Sequence, residues 1–283
     1  MPLKFPFILS VICPCLFNVQ HVDGRVIYVD QSATGDNDGS EWASAFIELQ
    51  SALAAATGGD EVRVAEGVYL PDYDVGAQQH TGNRSLSFTL KPDVTLNGGF
   101  PSGGGASDVR DPALHATVLS GDLQNDDKAD FTGMSDNARH VITALGEGAV
   151  LDGFEIRGGY ADGSDLDQQG GGMLINSASP TIRQCVFRRN AAEGTLGAGG
   201  AIAIVGEGAN PVITNATFIN NVALAQLDLR LTQLGDDLFR CVPSLAHDLS
   251  SIPDPEIACI LTYELDPFLG EGHLRCTMHH TEQ

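Results

Sequence analysis

The 283-residue chain carries 37 acidic residues against 15 basic ones, which gives a formal net charge of −22. Such a surface repels nucleic acid and anionic lipid, because both bind through basic patches, whereas cations such as calcium and neutral sugars are compatible with it. The 33 glycines and the aromatic share of 6% indicate many tight turns around a core of small aliphatic side chains.

The N-terminus has the features of an export signal. Lys4 precedes an apolar run from Phe5 to Phe17, which has the length of a signal-peptide core and is too short to span a bilayer. We therefore predict a signal peptide over residues 1–20 and a protein that is secreted, on the cell surface or associated with the outer membrane. A buried N-terminal strand is the alternative interpretation. No other stretch is apolar enough to form a transmembrane span.

The next segment predicts an amphipathic helix between two strands. "RVIYVD" alternates as a strand, and so does "DEVRVAEGVYL" further on. Between them an apolar stripe recurs at helical spacing: Trp42, Phe46, Leu49 and Leu53. We predict a helix over residues 41–56, with Ser40 as its N-cap. A stack of strands exposes an edge at its end, and this helix is expected to cap the first edge.

A 31-residue repeat occupies residues 150–223. Aligning Leu151, Ile182 and Ile213 brings three segments into step. The further columns are Phe154–Cys185–Ala216, Ile156–Phe187–Phe218, Gly159–Asn190–Asn221 and Ala161–Ala192–Ala223. The pair Gly171–Gly172 matches Gly199–Gly200 once a small insertion is allowed after the second pair.

The repeat predicts a β-solenoid with parallel strands. One unit cannot bury its apolar face alone, so neighbouring units must stack and share a core. The aliphatic and phenylalanine columns then fill that core, and glycines occupy sharp bends where a Cβ has no room. Asn190 and Asn221 are expected to accept a left-handed backbone in a tight turn and to hydrogen-bond along the stack.

The repeat stops near residue 224. Beyond it glycine nearly disappears, leucine becomes frequent, and neither the paired glycines nor the F-x-x-N pattern returns. Three interpretations of residues 224–283 stay open: a C-terminal cap, a separate small module that can be disordered, or sequence from another reading frame. Reading the coding DNA in its other frames separates them.

Several stretches resemble known families. "IYVDQSATGDNDGSEWASAFIELQSALAAATGGDEVRVAEGVYLP", "LNGGFPSGG" and "LDGFEIRGGYA" resemble bacterial right-handed parallel β-helix proteins of the pectate-lyase-like superfamily. The GGA[ILV] and FxxN motifs of chlamydial polymorphic outer membrane protein repeats are similar to Gly199, Gly200, Ala201 and Ile202 with residues 218–221. Residues 170–173 with 187–190 are a looser copy. The resemblance covers residues 25–223 and implies an all-β, right-handed parallel β-helix. Because the superfamily includes lyases, hydrolases and adhesins, it implies no single activity.

The candidate binding site is the acidic loop "DGSDLDQ". Asp162, Asp165 and Asp167 supply carboxylates that calcium accepts, although a solvated loop without a ligand is the alternative interpretation. Asp152 and Arg183 are assigned to different columns, and no catalytic set can be named. No motif requires a cofactor, and calcium is an ion that the acidic residues could accept.

These observations favour an exported, non-catalytic surface protein that acts as an adhesin or a carbohydrate-binding module. Its expected partner is a polysaccharide or a cell-surface protein. One alternative is a polysaccharide lyase or glycoside hydrolase acting on acidic polysaccharide. The other is a truncated fragment without independent function, which would follow from a tail in another reading frame.

Overall fold

The chain winds into a parallel β-solenoid of about six turns. The computed structural model describes residues 24–104, 110–193 and 199–224. The predicted signal peptide and the tail from residue 225 onward lie outside the described residues. Within the described ranges, no helix has the length and apolar character that a membrane span requires.

The strands follow one another turn by turn. The first turn holds β1 (Val26–Val29) and α1 (Leu49–Ala55), and the second β2 (Glu61–Ala65), β3 (Gly67–Tyr69), β4 (Tyr73–Asp74), β5 (Gln79–His80) and β6 (Phe88–Leu90). The third holds β7 (Thr95–Phe100), β8 (Thr117–Ser120), a 3-10 helix (Met134–Asp136) and β9 (Ile142–Ala144). The fourth holds β10 (Glu147–Asp152), β11 (Phe154–Arg157), β12 (Tyr160–Ala161), a 3-10 helix (Asp165–Gln168) and β13 (Met173–Asn176). The last two hold β14 (Ser179–Arg183), β15 (Val186–Arg188), β16 (Ala191–Glu193), β17 (Ile202–Val205), β18 (Val212–Thr214), β19 (Thr217–Ile219) and β20 (Val222–Leu224).

Four parallel sheets run along the stack. Sheet 1 has the order β1-β2-β7-β10-β14-β18, and sheet 2 has the order β3-β8-β11-β15-β19. Sheet 3 consists of β12-β16-β20, and sheet 4 of β6-β9-β13-β17. Strands β4 and β5 form a separate antiparallel hairpin on the second turn. The parallel solenoid predicted from the repeat is therefore confirmed.

Apolar side chains stack in columns inside the solenoid. Sheet 1 contributes Ile27, Val62, Leu96, Leu151, Ile182 and Ile213. Sheet 2 contributes Tyr69, Leu119, Ile156, Phe187 and Phe218. Each member is buried except the last of each column, which is partly buried. Full burial of one such side chain stabilises the fold by about 1.5–3 kcal/mol. The predicted alignment of the 31-residue repeat is confirmed in sheets 1 and 2, and sheet 3 confirms its alanine column.

The predicted asparagine column forms a hydrogen-bonded ladder. Asn190 has no exposed surface; its Nδ2 donates to the Ile156 carbonyl at 3.0 Å and its Oδ1 accepts from the Gly159 N–H at 3.0 Å. Asn221 repeats the first of these bonds one turn later, donating to the Phe187 carbonyl at 2.8 Å. The two amides are also joined directly, from Asn190 Nδ2 to Asn221 Oδ1 at 2.9 Å. The ladder links three successive turns.

The left-handed backbone lies one residue before each asparagine, not at the asparagine itself. Arg189 has φ of 52° and Asn220 has φ of 50°, and the equivalent position of the fourth turn is Gly158 with φ of 69°. The turn therefore separates two tasks: one residue bends the chain, and the next supplies the bonding amide.

The glycine pairs are offset by one residue from the predicted alignment. Met173 pairs with Ile202, so residues 170–171 are the counterpart of 199–200, rather than 171–172. The insertion that separates the two copies is correspondingly shorter than the glycine pattern alone indicated.

Close backbone contacts explain the glycine at the second position of each pair. A Cβ on Gly171 would stand 2.1 Å from the Ala191 carbonyl oxygen, and a Cβ on Gly200 would stand 2.1 Å from the Val222 carbonyl oxygen. Any side chain there would displace the backbone of sheet 3, so the close packing of the turns requires glycine at both positions.

The predicted helix over residues 41–56 is shorter than expected, since only α1 is helical. Glu48, rather than Ser40, occupies the N-cap position, and Ala56 ends the helix. Phe46 is withdrawn from the helix because it pairs with β1, donating its N–H to the Tyr28 carbonyl at 2.9 Å. This tertiary pairing overrides the helical period of the sequence.

The apolar stripe of the predicted helix is consequently divided. Leu49 and Leu53 are buried in the core, where α1 contacts β1, β2 and β6. The Trp42 ring lies instead between two aromatic rings, with its centroid 4.9 Å from that of Tyr28 and 5.5 Å from that of Phe100.

Candidate binding site

The predicted acidic loop connects β12 and β13 on the fourth turn. Its 3-10 helix is closed by the Asp167 N–H, which donates to the Ser164 carbonyl at 3.0 Å. The Gly163 N–H donates back to the Asp167 carbonyl at 3.1 Å. The loop therefore folds tightly on itself and brings its first and last carboxylates toward the same neighbours.

Two arginines from earlier turns meet these carboxylates. Arg84 Nη2 donates to Asp162 Oδ1 at 2.7 Å. Arg139 lies between both acids, with Nη1 at 3.6 Å from Asp167 Oδ2 and Nε at 3.9 Å from Asp162 Oδ1. All four side chains are partly exposed. We call this group, together with His140, the loop cluster.

His140 is the buried member of the loop cluster. Its Nδ1 lies 3.0 Å from the Gly170 carbonyl oxygen, so this nitrogen carries the proton and donates. Its Nε2 lies 3.5 Å from Asp167 Oδ1 and has no hydrogen-bond partner. The Nε of Arg139 is likewise buried without a hydrogen-bond partner among the described residues. Both atoms are enclosed by the protein and face the carboxylates of Asp162 and Asp167.

The third predicted carboxylate stands apart from the loop cluster. Asp165 is exposed at the start of the 3-10 helix, with φ of 54°. Sequence reasoning found Asp162 and Asp167 but missed both arginines and His140, because they lie on other turns and outside the repeat. Only the solenoid register brings them together.

Tyr160 borders the loop cluster on the side of the fifth turn. Its hydroxyl donates to Glu193. Burial, and then the bond and the charge of Glu193, raise the pKa of Tyr160 to about 12. The phenol therefore keeps its proton at physiological pH and acts as a donor.

A second polar group lies on sheet 1 and corrects an expectation. Asp152 is buried between Arg110 Nη2 and Arg183 Nε, each at 2.5 Å. Asp152 and Arg183 are register partners in β10 and β14, although the sequence analysis assigned them to different columns. The 31-residue repeat relates the two positions and could have found this pair. Nothing in the repeat indicates Arg110, which lies in the connection between β7 and β8.

Another acidic group is better suited to a metal ion than the predicted loop. Carboxylate oxygens of Asp122, Asp126 and Asp127 lie within 4.8 Å of one another. Asp162, Asp165 and Asp167 form no such group among the described residues. The sequence analysis did not single out the first three; their spacing in "GDLQNDD" is the only signal that could have indicated them.

No protein-family model, curated protein or solved structure matches the chain. The resemblance to pectate-lyase-like and chlamydial repeat proteins therefore rests on the quoted residues, and its finer implications stay predictions.

Proposed function

We propose that the chain is an exported, non-catalytic β-helix protein that binds carbohydrate at the cell surface through the loop cluster. The observation that carries this proposal is the group of two arginines and two aspartates, all partly exposed, that three turns bring together on one flank of the solenoid. We include a right-handed winding, because parallel strands joined by crossovers are right-handed in nearly all proteins. We also include α1 as the cap of the first turn.

The chemistry of the loop cluster matches a sugar hydroxyl. A hydroxyl accepts one hydrogen bond and donates another, so it can accept from an exposed guanidinium N–H and donate to an exposed carboxylate oxygen of the loop cluster. Arg84 is paired with Asp162 and Arg139 with Asp167, and these partly exposed ion pairs present both kinds of group to neighbouring hydroxyls. Because the net charge of the chain is −22, neutral sugars are favoured over polyanions.

The solenoid gives such a site an extended flank. Loops on successive turns lie beside one another along the stack, so a linear polysaccharide can contact several of them. The loop cluster already draws residues from the second, third and fourth turns, and Glu193 continues it onto the fifth. An adhesin would use the same flank for a surface glycan.

A glycan array followed by calorimetry on the best ligand tests the proposal. We expect Arg139→Ala to weaken binding by at least about tenfold, the effect of losing one charged hydrogen bond. Arg157→Ala is the matched control, since Arg157 is a partly exposed arginine of sheet 2 whose Nη1 lies 3.6 Å from Glu155. A blank array, or equal affinity of the two variants, would reject the loop cluster as a carbohydrate site.

A polysaccharide lyase or hydrolase is the second candidate, favoured by the contact of His140 Nε2 with Asp167 Oδ1 at 3.5 Å. A histidine beside a carboxylate is a common general acid or base. The assay is release of unsaturated uronate or reducing ends from several acidic polysaccharides, with and without calcium. Product that disappears in His140→Gln would replace the binding proposal by a catalytic one.

A further inference from the structure

We propose that the loop of the third turn binds one calcium ion between Asp122, Asp126 and Asp127, with the adjacent amide of Asn137 as a further ligand. This loop replaces the short asparagine turn found in the fifth and sixth turns. The inference is independent of carbohydrate binding at the loop cluster.

The geometry of the three aspartates fits one coordination sphere. Their ligand oxygens lie within 4.8 Å of one another. Calcium–oxygen distances are about 2.3–2.6 Å, so oxygens on opposite sides of one ion are about 5 Å apart. The Asp122 carboxylate also accepts the N–H groups of Asp126 at 3.1 Å and Asp127 at 3.3 Å, which holds the chain around it.

Buried oxygens without partners are the independent reason to expect a cation. Asp127 Oδ1, Asp136 Oδ2 and Asn137 Oδ1 are each buried and accept no hydrogen bond from the described residues. Asn137 has no exposed surface, and its Nδ2 donates to Asp127 Oδ2 at 2.8 Å, so its side chain lies against this carboxylate. Leaving such oxygens unpaired is unfavourable, and a coordinated cation would supply the missing partner.

The electrostatics of the loop point the same way. Three carboxylates lie within 4.8 Å of one another, and Asp136 belongs to the same loop. The carboxylates therefore repel one another. A divalent cation converts this repulsion into attraction.

The ligand chemistry selects calcium among common ions. The set contains carboxylate and amide oxygens and neither histidine nor cysteine, which disfavours zinc. Calcium accepts 6–8 oxygens in adaptable geometry, whereas magnesium requires a near-ideal octahedron of shorter bonds. An irregular loop with several carboxylates meets the first requirement more readily than the second.

Bound calcium would clamp the loop to its neighbours. Asn137 Nδ2 donates to the Gly158 carbonyl of the fourth turn at 2.7 Å. Arg189 of the fifth turn donates to the Lys128 carbonyl within the loop. Fixing the carboxylates therefore fixes the contact between the third turn and the two turns that follow it.

Calorimetry and thermal unfolding of the full chain, first stripped with a chelator, test the site. We expect one calcium ion per chain, a higher Tm with calcium, and no comparable response to magnesium. Asp126→Asn is the main variant, because Asp126 is exposed and its loss should leave the fold intact. Removing one charged ligand should weaken calcium binding by at least about tenfold. Asp127→Asn should do the same.

Glu41→Gln is the matched control, since Glu41 is an exposed acid on the first turn, and it should bind calcium as the parent chain does. An absent calcium response in the parent chain would overturn the proposal and would indicate that water, not calcium, satisfies the buried oxygens. Unchanged affinity in both aspartate variants would place the ion elsewhere, and an equal response to magnesium would overturn the assignment to calcium.

Discussion

The last three turns and the two before them build sheets 1, 2 and 4 in different ways. The fourth to sixth turns stack like on like, as Ala161, Ala192 and Ala223 do in sheet 3. The second and third turns stack unlike residues, such as Tyr69 on Leu119 in sheet 2. They also carry additions, namely the hairpin β4–β5 and the acidic loop that contains Asp122. Both regions share one strand register, but different residue types occupy the equivalent positions.

This difference shows that the solenoid depends on which positions face inward more than on which residues fill them. Apolar columns run unbroken through sheet 1 from β1 to β18. In the later turns identical residues stack on one another, and the stacked asparagines add a second bonding system, the asparagine ladder. The following predictions test that division, from the largest effect to the smallest.

In the phenylalanine column, a substitution should reduce the free energy of unfolding most where the side chain lies inside the stack. Phe187 is fully buried between Ile156 and Phe218, so Phe187→Ala should reduce the free energy of unfolding by about 3–5 kcal/mol. Phe218 is partly buried in the last described turn, so Phe218→Ala should cost about 1–2 kcal/mol. Urea denaturation followed by circular dichroism measures both, and equal losses would mean that the core is equally closed at both turns.

The asparagine ladder should come next in size. Asn190→Ala leaves the Gly159 N–H and the Ile156 carbonyl without their side-chain partner, which should cost about 2–3 kcal/mol. Asn221→Ala should cost about 1 kcal/mol, because Asn221 is partly exposed and water can replace its bonds. Asn210→Ala, at an exposed loop position, is the control and should change stability by less than about 0.5 kcal/mol. A cost at Asn190 no larger than this control would show that the ladder does not stabilise the later turns.

The smallest effect should be a pH dependence confined to the earlier turns. Burial lowers the pKa of His80, but Asp72, whose Oδ1 lies 2.7 Å from Nδ1, and Glu48 outweigh it and raise the pKa above 6.5. A raised folded-state pKa means that this stabilisation is complete below 6.5 and is lost as the pH rises through the raised value. Hydrogen exchange of the hairpin should accelerate over that range beyond the intrinsic rise of exchange with pH. The extra acceleration should vanish in His80→Gln, and its persistence there would assign it to another group.

The parts of the fold that could be predicted from the sequence are those in which similar residues recur at a fixed spacing. The columns headed by Leu151 and Ile156 could be aligned because their members resemble one another and share one spacing. The glycine pairs misled the alignment by one residue, since three glycines in a row at 170–172 offer two matches to the pair at 199–200.

The rest could not be predicted because it depends on contacts between turns of unlike sequence. The apolar residues of 41–56 recur at helical spacing, yet the pairing of Phe46 with β1 keeps the first half of this segment out of the helix. The loop cluster assembles Arg84, Arg139 and His140 with the acidic loop only through the winding of the chain. The local sequence pattern indicates which secondary structure a segment favours, and contacts with the neighbouring turn determine which structure forms.

The ladder through Asn190 and Asn221 also bears on how such a chain can change over generations. Asn190 and Asn221 each bond to the backbone of the preceding turn, and Asn190 also donates to Asn221 of the next, so the 31-residue unit has matching upper and lower surfaces. Duplication or loss of a whole unit in this part of the gene would join compatible surfaces and leave the other turns undisturbed. The length of the solenoid can therefore vary in steps of one turn, without any redesign of the core.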